Sequence, residues 1–142
     1  MKNRDIYELA LNLLAEPANH LNTEDYLTRA PYLLGAFFYE NGGLDDSYRE
    51  AYGLEKRPPI HAVCVELDDD FPFVERFAPI AAYYLASTLV IDEDEALGDR
   101  FFDMFSSSVS KLISEIPASL EDIINALVAD ARDFTFRAIT DE

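Results

Sequence analysis

Two histidines, one cysteine and 28 acids are the groups in this 142-residue chain that could do chemistry. A histidine metal site needs a second ligand at helical or turn spacing. His20 and His61 have no such neighbour, and the chain holds no Cys-x-x-Cys pair. Both histidines read as solvated loop residues. The run Asp92, Glu93, Asp94, Glu95 suggests calcium. An EF-hand loop, however, needs glycine at its sixth place and glutamate at its twelfth. Leu97 and Asp103 stand there. The same test applies to Asp68, Asp69 and Asp70. Both runs read as solvated turns, and 92–95 also suits the positive end of a following helix. A weak, nonspecific divalent cation site stays open at either. Acid–base catalysis needs a carboxyl held in an apolar pocket. Glu75, Asp99 and Asp103 lie next to apolar positions, but no spacing makes them converge. Ser106, Ser107, Ser108 and Ser110 have no base nearby in sequence, and the five glycines form no phosphate loop. Tyr83 and Tyr84 read as core aromatics rather than a stacking platform. Cys64, between Val63 and Val65, reads as a buried, inert thiol and excludes an internal disulfide. The expectation is a protein that is not an enzyme and uses no metal or cofactor.

Charge narrows the partners. The net charge is −17, which disfavours wrapping nucleic acid or lying on an anionic membrane. An acidic wall can still let DNA slide past without sticking. Between Glu66 and Asp103 eleven acids face two bases, Arg76 and Arg100. The seven acids of the two runs (68–70 and 92–95) form the candidate acidic channel or interaction face. The plain alternative is a solubilising surface. The start, Met1 to Asp5, leads straight into an amphipathic pattern and is no signal peptide, so an intracellular, cytoplasmic protein is expected.

The elements that must position these residues are helical. At 49% hydrophobic, a chain of this length can fill one core, so a single domain over 1–142 is expected. Residues 77–91 carry no charge and must be enclosed by protein, because about 22 Å of helix cannot cross about 30 Å of hydrocarbon. They are read as the central helix of an all-α bundle of about five helices. Helix 1 is placed at about 4–15, with Asn3 as its N-cap. Helix 2 opens after Asn22 or Thr23, is kinked or divided at Pro31, and stops at Asn41-Gly42-Gly43. A short helix over 44–52 ends at Gly53. Residues 60–67 are β-branched and read as a short strand or an extended segment, pairing with 52–57 or with another chain. Helix 4 spans about 94–116 with an apolar stripe from Leu97 to Ile116, and Pro117 stops it. Ser119 and Asp122 open helix 5, which runs to about 137 and leaves a looser tail.

The chain also resembles a known family. The matching text is Asp25-Tyr26-Leu27-Thr28-Arg29-Ala30-Pro31-Tyr32-Leu33-Leu34, then Leu67-Asp68-Asp69-Asp70-Phe71-Pro72, then Ala78-Pro79-Ile80-Ala81-Ala82-Tyr83-Tyr84-Leu85-Ala86, followed by Phe101-Phe102-Asp103-Met104-Phe105. This order resembles the head–tail connector (adaptor or head-completion) proteins of tailed bacteriophages and prophages. The resemblance covers most of 5–115, and residues 117–142 depart from it. It implies a non-enzymatic homo-oligomer, a ring of about a dozen copies joining portal to tail proteins around the DNA exit channel. It also implies a place in the virion after assembly in the bacterial host's cytoplasm. The competing expectation is an acidic helical interaction module or small regulator that binds a basic partner.

Overall fold

The computed structural model describes residues 1–15, 23–60, 63–117 and 128. Four α-helices account for most of them: α1 (Asn3–Leu13), α2 (Thr23–Ala51), α3 (Ala78–Val90) and α4 (Glu95–Glu115). A single 3-10 turn, Glu75–Phe77, leads into α3. The protein is all-α, with no strand among the described residues. Apart from Val128, the expected helix over 119–137 and the tail after it lie outside the described residues, as do His20 and His61.

Helix α3 packs against α1, α2 and α4. Nine of its residues are buried, among them Ile80, Leu85 and Leu89. Pro79 sits in its first turn, where a missing N–H costs nothing. No helix among the described residues is long and apolar enough to cross a membrane.

Helices α3 and α4 form a tight hairpin. Asp94 is the N-cap of α4 and accepts from the Leu97 N–H at 3.0 Å. The hairpin closes at Gly98, where a Cβ would meet Ile91 Cβ at 2.8 Å. Ser87 Oγ, buried on α3, donates to the Gly98 carbonyl at 2.7 Å.

Helix α2 differs from its expected form. It is one helix of 29 residues, neither divided at Pro31 nor ended at Gly42-Gly43. Proline removes only the bond to the carbonyl of Leu27, an exposed residue. The Pro31 carbonyl accepts from Val65 N–H at 3.1 Å as the 63–65 segment crosses α2. Past Asn41, tertiary contacts hold the helix: Arg57 donates to the Gly42 carbonyl at 3.0 Å, and Gly42 and Asp45 are buried. The separate 44–52 helix is therefore the last third of α2. Likewise, the N-cap of α1 is Lys2 rather than Asn3, which is buried in the first turn.

The 54–66 region forms no strand among its described residues. It crosses α2 backbone first, with the Val63 carbonyl lying where a Gly35 Cβ would stand, 1.9 Å away. Val63 and Cys64 consequently face solvent, so the expected burial of the thiol is overturned.

Candidate acidic surface and the groove beside it

The two acidic runs precede and follow α3, and each is fastened to a different helix. The first is tied to the start of α1. Lys2 Nζ lies 2.7 Å from Asp70 Oδ1, and Arg4 Nε donates to Asp68 Oδ1 at 3.0 Å. The backbone joins in. Asn3 N–H donates to the Asp69 carbonyl at 3.0 Å, and Phe71 N–H to the Met1 carbonyl at 2.9 Å. The Lys2 ammonium, by its hydrogen bond and charge, holds the Asp70 carboxyl below the ordinary range. The Asp68 and Asp70 side chains are nevertheless 83% and 82% exposed, so each still offers a carboxylate face to solvent.

The second run is tied to the start of α2. Tyr26, whose ring is buried, donates from its hydroxyl to Glu93 Oε2 at 2.7 Å. Arg29 donates to the Thr88 and Leu89 carbonyls at 3.0 and 3.4 Å. It thereby caps the negative end of α3. The same guanidinium lies 3.8 Å from Asp92, whose side chain is 79% exposed. Asp94 caps α4, and Glu95 stands in its first turn, in solvent. Six of the seven candidate acids therefore hold a fixed partner or a fixed place in a turn or helix start, and Asp69 is fixed by its backbone. No group of three or more His, Cys, Asp or Glu among the described residues is arranged to hold a metal ion.

The other residues weighed for chemistry do not converge. Glu75, Asp99 and Asp103 all face solvent, as do Ser106, Ser107 and Ser110. Tyr83 and Tyr84 are half-buried, and the Tyr84 ring packs against Phe37 and Phe105. Burial, helped by the charge of Glu40, pushes the Tyr84 hydroxyl above its ordinary pKa.

The sequence reading missed a groove of about 840 Å³ between the last third of α2 and residues 54–60. Its walls include Tyr39, Gly43, Arg49, Lys56, Arg57 and Ile60. Two of these residues, Arg49 and Arg57, are held by Asp45, which is fully buried. Asp45 accepts from Arg49 Nε at 2.8 Å, Arg57 Nε at 2.9 Å and Val74 N–H at 3.0 Å. Arg57 also donates to the Gly42 carbonyl and to Asp46, and lies over the Phe73 ring at 5.4 Å. The signal available in sequence was the Asp45 and Arg49 pair at four-residue spacing on a helix. The expected stop at Gly42-Gly43 concealed it. Arg49 and Arg57 are committed to this node, and Asp46 and Glu50 share the rim, so the groove carries little net charge.

Compared with known proteins, the chain matches no protein-family model, no curated protein and no solved structure.

Proposed function

We propose that this is a structural assembly protein of the head–tail connector kind. It would act as a non-catalytic ring subunit, built as a bundle of about five helices organised on α3. The observation that carries the reading is the fixed acidic surface. Asp68 and Asp70 are held by Lys2 and Arg4, and Asp92 and Glu93 by Arg29 and Tyr26, yet Asp68, Asp70 and Asp92 keep about four-fifths of their side-chain surface in water. Negative charge held in place, rather than on mobile side chains, suits a wall past which DNA moves, because repulsion keeps phosphate from sticking. Portal and tail proteins are the partners the reading requires, with assembly in the host cytoplasm and residence in the virion.

The test is light scattering after size exclusion, followed by negative-stain imaging, with and without portal protein. Closed rings, alone or on the portal, would support the reading. A monomer that ignores portal protein at high concentration would sink it.

The same acidic surface also supports a second reading, an interaction module for a basic partner. That reading expects one basic protein to be retained with an affinity that falls steeply with salt. Replacing Asp68, Asp70 and Asp92 with asparagine would remove the retention.

A further inference from the structure

The groove beside α2 has two unlike walls. The α2 wall is a line of Tyr39, Gly43, Asp46 and Glu50, which fall within about 60° of one another at about 100° per residue. Tyr39 is 72% exposed, and nothing lies within 4 Å of the place a Gly43 Cβ would take. The wall therefore shows an aromatic ring, then a gap, then two carboxylates. Asp46 gives one oxygen to Arg57 and keeps 61% of its side chain exposed. Glu50 is exposed and makes no hydrogen bond or ion pair among the described residues. It stands in the last turn of α2, whose negative end favours a cation beside it.

The opposite wall is the 54–60 segment, held by Arg57 on the buried Asp45. The N–H groups of Glu55, Lys56 and Arg57 make no hydrogen bond among the described residues, and Pro58 and Pro59 have none to give. Backbone donors are thus free over three residues of an irregular segment, which suits pairing with an extended peptide.

Spacing selects the occupant. Asp46 and Glu50 stand about 4.5 and 10.5 Å along the helix from Gly43, at about 1.5 Å per residue. An extended chain returns side chains to one face every second residue, about 6.6 Å apart. An apolar side chain seated over Gly43, against the Tyr39 ring, therefore sets the side chain two residues away between the carboxylates. At −17 the whole molecule draws a base there and repels an acid. Arg49 and Arg57 spend their charge on Asp45 and on one oxygen of Asp46. Lys56 opposes the base from the far wall, but the carboxylates are nearer to the seat.

We infer that the groove is a docking site for an extended segment of a basic partner protein. A large apolar side chain of that segment sits over Gly43, and a lysine or arginine two residues away sits between Asp46 and Glu50. The inference rests on the second reading above, that of a basic partner. The groove is that partner's anchor, and the acids at 68–70 and 92–95 attract it from a distance.

The test is amide NMR of the full chain, titrated with two capped pentapeptides of identical composition. In the first, phenylalanine is central, a lysine stands at each end and serines lie between. In the second, each lysine changes places with its serine, which turns the bases to the other face. The first should shift the amides of Gly43, Glu50 and Lys56 and bind at least about fivefold more tightly than the second. Gly43→Leu, which fills the gap, and Glu50→Gln should each weaken the first peptide at least about fivefold. Lys56→Gln should tighten it. Equal affinities, no saturation at about 5 mM peptide, or weakening by Lys56→Gln would overturn the inference. Shifts centred on 68–70 and 92–95, indifferent to Gly43→Leu and Glu50→Gln, would overturn the groove and leave the basic-partner reading intact. If Gly43→Leu disturbs amides away from the groove, the opposite signs expected of Glu50→Gln and Lys56→Gln decide.

Discussion

Arg57 donates to Asp45 at 2.9 Å in a place where the Asp45 side chain is fully buried and the Arg57 side chain only 6% exposed. One carboxylate thus joins α2, the 54–60 segment and the approach to α3, since it also binds Arg49 and the Val74 N–H. Removing one member of a buried ion pair strands the rest, at a cost of about 3–5 kcal/mol. Asp45→Ala should lower the unfolding free energy by that amount in urea denaturation. Arg57→Met and Arg49→Met should be coupled in a double-mutant cycle rather than additive. A loss under about 1 kcal/mol for Asp45→Ala would mean that the node does not hold the fold.

Two glycines of α2 should respond in opposite directions to the same change. Gly35 lies under the Val63 carbonyl, so Gly35→Ala must push backbone aside and should cost about 1–3 kcal/mol. Gly43 has open space around its missing Cβ and lies inside the helix. Gly43→Ala should therefore stabilise by about 0.4–1 kcal/mol, mainly by reducing the freedom of the unfolded chain. Thermal melts of the two variants check this. A stabilising Gly35→Ala would contradict the crossing of 63–65 over α2.

How much of this was legible in sequence follows from where each element gets its stability. Helix α4 was readable because its signals are local: an acid at the cap, a periodic apolar stripe and Pro117 at the end. Helix α2 was not, because its continuation through Gly42-Gly43 depends on Arg57, which comes from beyond the helix to bond the Gly42 carbonyl at 3.0 Å. Cys64 was misread for a related reason. Apolar neighbours suggest burial, but Gly35 lets the segment approach through its backbone and leaves the side chains outside. For the acidic face, sequence located the carboxylates and missed the partners. Lys2 and Arg4 are more than 60 residues from the acids they hold, and Arg29 is as far from Asp92.

Acid stability should report the contact between Arg76 and Glu115. The guanidinium donates to both carboxylate oxygens, at 2.9 and 3.0 Å, fastening the turn before α3 to the end of α4. That bond holds the Glu115 carboxyl below its ordinary range. A carboxyl depressed in the folded state contributes stability that is present above the unfolded value, about 4.3, and lost as pH falls through the lower folded value. Glu115→Gln should therefore weaken the protein at pH 7 and flatten its acid slope below about pH 4.3. Urea midpoints measured across that range provide the check. An unchanged slope would show that other carboxyls dominate.

At the alkaline end the sign reverses. Burial raises the Tyr84 and Tyr7 hydroxyls above about 10, their ordinary value. A group raised in the folded state contributes stability present below the unfolded value and lost as pH climbs through the folded one. Tyr84→Phe should leave the urea midpoint at pH 7 nearly unchanged and reduce its fall above about pH 10. Absorbance titration of the phenolate band, compared between the native protein and its Tyr84→Phe and Tyr7→Phe variants, should show that each change removes a late-ionising tyrosine. Loss of an ordinary tyrosine signal in either variant would contradict the burial of these two hydroxyls.

Salt separates local pairing from overall repulsion. At −17 the folded chain repels itself, and screening relieves this. Screening also weakens the exposed pairs Lys2–Asp70 and Arg4–Asp68, but solvent already screens pairs of that kind, so they contribute little. The buried node at Asp45 is screened far less. Raising sodium chloride from about 0.02 M to about 0.5 M shortens the screening length from tens of ångströms to a few, so Tm should rise. The rise should shrink in Asp68→Asn with Asp69→Asn, and in Asp92→Asn with Glu95→Gln, since each pair of changes removes part of the repelling charge. A fall in Tm with salt would mean that the surface ion pairs outweigh the repulsion. The acids would then act as fasteners of the loops around α3 more than as a negative wall.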